Sequence, residues 1–107
     1  KASNNTTALA FASRDLAYAY NLAGDLERAE EWAKQALTYG SQGARDRNII
    51  LSAAQKVLGD VAVRRGDLDA GFSHYEKALS ELFGADRQRL AVQLSMANTE
   101  IRRGRIE

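Results

Sequence analysis

Displaced against itself by 42 residues, the chain superposes Ala12 on Ala54, Leu16 on Leu58 and Ala17 on Gly59. The same shift lays Gly24-Asp25-Leu26 on Gly66-Asp67-Leu68 and Ala36-Leu37 on Ala78-Leu79. Self-similarity of fixed period at small and apolar positions marks repeat architectures, in which one supersecondary unit stacks on the next. A second displacement, of 38 residues, puts Gln55 on Gln93, Leu58 on Met96, Gly59 on Ala97, and Val63-Arg64-Arg65-Gly66 on Ile101-Arg102-Arg103-Gly104. A third unit therefore begins within the 107 residues. Because Gly104-Arg105-Ile106-Glu107 parallels Gly24-Asp25-Leu26-Glu27, the array is expected to continue in a parent protein, and Lys1 in place of Met suggests an excised or processed fragment.

The repeating unit reads as helical. The chain contains no Pro and is rich in Ala, Leu, Glu, Gln and Arg, so nothing breaks a helix from within and most residues favour one. Apolar residues recur at three- and four-residue steps through Leu9, Ala12, Leu16, Ala19, Tyr20 and Ala23, then through Leu26, Ala29, Ala33, Ala36 and Leu37. Three more segments do the same: Ile50, Ala54, Val57, Leu58, Val61; Leu68, Phe72, Tyr75, Leu79, Leu82; and Leu90, Leu94, Ala97, Ile101. No segment alternates with period two. Gly24-Asp25 and Gly66-Asp67 each place a glycine suited to a left-handed C-terminal cap before an Asp suited to cap the next helix. Glu27 and Asp69 stand in first turns, where the helix dipole favours them. Gly40-Ser41-Gln42-Gly43 and Gly84-Ala85-Asp86 supply the remaining breaks, giving five helices of about 16 to 22 residues.

Composition removes whole classes of chemistry. With no Cys and one His, Cys/His zinc sites, cysteine nucleophiles, haem-attachment motifs and disulfide scaffolds are excluded, and neither metal nor cofactor is expected. A net charge of +1 supplies no long-range field for nucleic acid or an anionic membrane. Apolar runs of a few residues fall far below the roughly 18 to 20 needed to span a bilayer. A cytoplasmic setting is the default for such a chain.

The residues Leu16-Ala17, Tyr20, Gly24, Asp25, Ala29 and Ala36 in the first unit, and Leu58-Gly59, Gly66, Asp67, Gly71, Tyr75 and Ala78 in the second, resemble the tetratricopeptide repeat. The chain departs from that family in three ways. Ser13, Gln55 and Gln93 stand where a large residue is usual, no Pro follows the second helix, and the 42-residue displacement exceeds the family's spacing of about 34 by some two helical turns. It therefore resembles the family's long-helix variants, as in kinesin light chains and bacterial regulators. Small residues at Ala17, Gly59, Ala29, Gly71, Ala36 and Ala78 would let paired helices approach closely, with Tyr20 and Tyr75 filling gaps. The resemblance implies an all-α, antiparallel helix-hairpin solenoid coiled as a right-handed superhelix. Residues 5–40 would form repeat one, 44–83 repeat two, and 86–107 the first helix of a truncated third, with the first helix of each pair lining a concave groove.

With the Leu16 and Tyr20 side taken as packed, the opposite face of the first helix, at about 100° per residue, carries Phe11, Arg14, Tyr18 and Asn21. The third helix presents Ala53, Lys56, Asp60 and Val63, and the fifth Ala91, Leu94, Asn98 and Ile101. This mixture suits an extended or helical peptide of a partner protein. Arg14, Lys56 and Asp60 fit a solvated helix face equally well, and Leu94 and Ile101 fit an interface with further repeats. Arg14, Lys56 and Asn98 also resemble parts of the clamp with which some family members hold C-terminal carboxylates, but Asp60 beside Lys56 would repel one.

The remaining candidates read blandly. His74 has no nucleophile or carboxylate evidently arranged about it, and Glu30 and Glu31 with Lys34 and Gln35 form an ordinary helix-surface set. Trp32 reads as a partly buried packing residue, with partner contact the alternative. Arg64-Arg65 and Arg102-Arg103-Arg105 lack the interleaved aromatics of a nucleic-acid groove. Two functions fit: a non-catalytic module binding a protein segment in its groove, or a sensory helical-repeat region of a larger regulator or signalling enzyme.

Overall fold

The computed structural model of the chain describes residues 4–42, 47–81 and 86–104. Those residues form five helices, α1 (Asn4–Ala23), α2 (Leu26–Ser41), α3 (Arg47–Arg64), α4 (Leu68–Ser80) and α5 (Asp86–Arg102), and no strand. The expected breaks at Gly43 and Gly84-Ala85 lie outside the described residues, as does Leu82. At 13 residues α4 is shorter than the expected range.

The α1–α2 and α3–α4 corners use the same atoms. Gly24 has φ 83° and Gly66 φ 90°, and nothing lies within 4 Å of a Cβ built on either. The glycines stand there for their backbone angle alone, which a side chain would strain. Gly24 N–H donates to Asn21 O at 3.1 Å and Asp25 N–H to Tyr20 O at 3.0 Å; Gly66 N–H donates to Val63 O at 3.0 Å and Asp67 N–H to Ala62 O at 2.9 Å. Each pair satisfies carbonyls that the end of a helix would otherwise leave orphaned. The aspartate then caps the following helix, Asp25 Oδ1 accepting from Arg28 N–H at 3.2 Å and Asp67 Oδ1 from Ala70 N–H at 3.1 Å. Two residues thus end one helix and start the next.

Through these corners α1 packs along α2 and α3 along α4, while α3 also packs on α2, α5 on α4, and α1 and α5 both reach α3. The assembly measures 50 × 30 × 18 Å. Its seams are made of small residues. Ala29, Ala33, Ala36 and Gly40 are the buried positions of α2, and Gly71, Tyr75 and Ala78 those of α4, with the first three of α2 falling on the three of α4 under the 42-residue displacement. A Cβ on Gly59 would stand 2.5 Å from Tyr75 Cε1, and one on Gly71 would stand 2.5 Å from Val63 Cγ2. Only hydrogen fits at either point, so α3 and α4 meet more closely than alanines would allow. Trp32 packs half-buried against the core of α1, α2 and α3.

Two expectations are corrected. α2 ends inside the expected Gly40-Ser41-Gln42-Gly43 stretch, at Ser41 with Gln42 as its C-cap, but Gly40 itself does not break the helix; it is buried where a Cβ would lie 3.1 Å from Leu51 Cδ2 and 3.3 Å from Ile50 Cγ2. It gives α3 room to approach α2. Leu16 is 36% and Leu9 45% exposed, and Ala12 and Ala19 are exposed beside them. On α3 the equivalent Leu51, Ala54, Leu58 and Val61 are buried, as members of the face that meets the preceding pair of helices. Among the described residues nothing covers that face on α1.

Replacing Gly59 by Ala is expected to displace the Tyr75 ring and lower stability by about 1 to 3 kcal/mol, seen as a fall in Tm of at least about 4 °C. An unchanged Tm would contradict the close α3–α4 approach.

Candidate functional site

The first, third and fifth helices enclose a groove of about 510 Å³. α1 contributes Arg14, Asp15, Tyr18 and Asn21 to it, α3 contributes Ile49, Ala53, Lys56 and Val57 among others, and α5 contributes Ala91 and Val92. Arg14, Tyr18, Asn21 and Lys56 therefore stand together, as the helical wheel places them. Asp15, Ile49, Ser52, Val57 and Val92 were not anticipated. The wheel treated each helix as having one packed side, whereas α3 is enclosed by neighbours on several sides and shows the groove residues that a single-sided scheme assigns to the core.

The charged wall is internally paired. Arg14 Nη2 lies 2.9 Å from Asp15 Oδ1, and its guanidinium stacks over the Phe11 ring at 4.9 Å from the centroid. Phe11 is half-buried against the core beneath that arginine and does not line the groove. Lys56 Nζ donates to Asp60 Oδ2 at 2.9 Å, and Asn21 Nδ2 donates to the same oxygen at 2.9 Å. Tyr75 Oη donates to Asp60 Oδ1, and Arg64 Nη1 donates to Asn21 O at 2.6 Å. Asp60 is thus a satisfied acceptor joining α1, α3 and α4, not an open groove carboxylate. Burial, and then the bond to Asp60, push the Tyr75 hydroxyl far above its ordinary range, so it stays a donor. Ser95 and Thr99 of α5 border the same hydroxyl.

Val63 requires correction as a groove residue. It is 7% exposed and packs with Tyr75, Ala78 and Val92, because the slot left by Gly71 draws it into the α3–α4 seam. Asn98, Leu94 and Ile101 are exposed on α5, and none of the three is among the groove-lining residues. His74 Nδ1 lies 2.7 Å from Gln55 Oε1 across α4 and α3, and burial, followed by Lys77, lowers its pKa and favours the neutral ring.

Surface pairs recur between units. Arg65 at the end of α3 reaches Glu30 of α2 at 2.9 Å, and Arg103, its equivalent after α5, reaches Asp69 of α4 at 2.8 Å. The hydrogen bond from Arg65 holds the Glu30 carboxyl below its ordinary value of 4.5. Among the described residues no group of three or more His, Cys, Asp or Glu side chains is placed to hold a metal ion, and no helix is long and apolar enough to cross a membrane. No family model matches the chain, and comparisons with curated proteins and with solved structures likewise find no match.

In a double-mutant cycle, Asp60→Ala is expected to cost about 2 to 3 kcal/mol, since it strands buried donors, and Tyr75→Phe less. The two losses should be non-additive in urea melts; strictly additive values would show that the bond contributes nothing. Glu30 contributes its stability above about pH 4.5 and loses it as pH falls through the lower, folded value. Glu30→Gln should accordingly flatten the acid limb of Tm against pH, and an unaltered limb would exclude the Arg65 pairing.

Proposed function

We propose that the chain is a tetratricopeptide-type helical-repeat module which binds a segment of a partner protein in the groove formed by α1, α3 and α5 and performs no chemistry of its own. The observation that carries this reading is the convergence of equivalent helices of successive units on one groove. Supporting it are the two identical Gly-Asp corners and the matched small residues of the α2 and α4 seams, as expected of hairpins stacked into a solenoid.

The groove's chemistry narrows the ligand. Its basic groups are engaged by Asp15 and Asp60, so an acidic peptide would have to displace existing partners. Ile49, Ala53, Val57 and Ala91, together with the Tyr18 ring, supply an apolar floor, and the polar groups at its margins come from α1 and α3. A segment that seats an aliphatic or aromatic side chain on the floor and hydrogen-bonds at the margins fits best. The carboxylate clamp fits poorly, because Lys56 is committed to Asp60 and Asn98 does not line the groove.

Peptides selected from a random displayed library against the chain should protect Tyr18, Ala53 and Ala91 in amide-exchange mapping. They should bind an Ala53→Asp variant, which puts a charge on the apolar floor, at least about tenfold more weakly. Affinity should depend little on salt. Selected peptides that map elsewhere, or bind the variant with unchanged affinity, would remove the groove from consideration.

A further inference from the structure

α3 runs through the middle of the groove and divides it. At about 100° per residue its Ala53 and Val57 turn toward α1, where Tyr18 and Asn21 stand, while its Ile49 and Ser52 turn toward α5, where Ala91 and Val92 stand. Two crevices result, one on each side of α3, with Val57 and Val92, 4% and 2% exposed, as their most enclosed apolar members. Packed helices lie about 8 to 10 Å apart, so the crevices repeat at about that spacing. Both are formed between helices that the chain itself supplies.

Hydrogen bonding in the groove is one-sided. Asp15 Oδ1 accepts from Arg14 Nε and Nη2 at 3.2 and 2.9 Å, and Asp60 accepts from Lys56, Asn21 and Tyr75. Asn21 Oδ1 has no partner but is sealed from solvent. The donors are less fully engaged. Lys56 Nζ gives one of its three protons to Asp60, and Arg14 keeps N–H groups beyond those that face Asp15. Tyr18 is 58% exposed, and among the described residues its hydroxyl has no partner.

We propose that the segment held in this groove, on the binding reading given above, is proline-rich and lies in the polyproline II conformation. Such a segment rises about 3.1 Å per residue with three residues per turn, so positions i and i+3 lie on one side about 9.3 Å apart and enter successive crevices. A β-strand brings same-side residues to about 6.8 or 13.6 Å and misses that spacing. An α-helix comes near it with i and i+7, about 10.5 Å apart, but its carbonyls are engaged in its own ladder and would leave the Tyr18, Lys56 and Arg14 donors covered and unanswered. Polyproline carbonyls have no internal partner, and proline brings no N–H that would need an acceptor from the groove. The Tyr18 ring adds an aromatic surface of the kind on which such segments pack.

The probe is the octapeptide Pro-Pro-Leu-Pro-Pro-Leu-Pro-Pro, capped at both ends, whose leucines stand at i and i+3. Titrated into the isotope-labelled chain, it should give saturable shifts at the Tyr18, Ala53 and Ala91 amides and displace library-selected groove peptides. Moving the second leucine to i+2 should weaken it at least about fivefold, and replacing its prolines by alanine at least about tenfold. Tyr18→Phe keeps the ring and removes the donor at an exposed position; it should weaken binding about threefold or more without lowering Tm. Equal binding by the i+2 or alanine peptide, unchanged affinity of Tyr18→Phe, or selected peptides that occupy the groove and resist displacement would overturn the polyproline assignment while leaving the groove as a binding surface. If neither the octapeptide nor any selected peptide shifts the groove amides, both are overturned.

Discussion

The arrangement of four of the five helices depends on one side chain lying across another residue's missing one. The Tyr75 ring occupies the space a Gly59 methyl would take, and from that position its hydroxyl reaches Asp60, one residue along α3. Asp60 in turn holds Asn21 on α1, and Ser95 and Thr99 on α5 border the same hydroxyl. A single aromatic therefore closes the α3–α4 seam by shape and ties α1, α3 and α4 together by hydrogen bonding. The carboxylate is half-buried and would be costly alone; three donors offset its desolvation, so it acts as a junction.

The α1–α2 and α3–α4 pairs set different residues at positions that the 42-residue displacement makes equivalent. Where the first unit sets Ala17 and Ala33 at a seam, the second sets Gly59 and Tyr75 at the equivalent positions. The methyl absent at Gly59 opens the point at which the far larger Tyr75 ring enters the seam. The corners allow no such exchange. A left-handed residue followed by a capping carboxylate is demanded twice, and Gly-Asp appears twice, because backbone angles cannot be repaired by a neighbour's bulk.

This difference governs what was legible in the sequence. The corners, the helical class, the count of five helices and the placing of Arg14, Tyr18, Asn21 and Lys56 along one groove follow from local conformational rules and from helix periodicity. What escaped is set by neighbours. Gly40 carries the residue type of a helix breaker, and only the approach of Ile50 and Leu51 shows it to be a spacer. Val63 and Lys56 lie on adjoining parts of α3, yet the slot at Gly71 takes one into the core while the other stays on the groove. Asp60 could be placed on its face from periodicity, but its three donors come from α1, α3 and α4 and are visible only once those helices are packed.

The same pairing bears on how such a groove selects a ligand. Charges already matched within the molecule contribute little net attraction, since each new ion pair replaces an old one and must desolvate both partners. On the proposed reading, binding free energy would come from apolar burial against Ile49, Ala53, Val57 and Ala91, while Arg14, Asp15, Lys56 and Asn21 would refuse segments that cannot satisfy them.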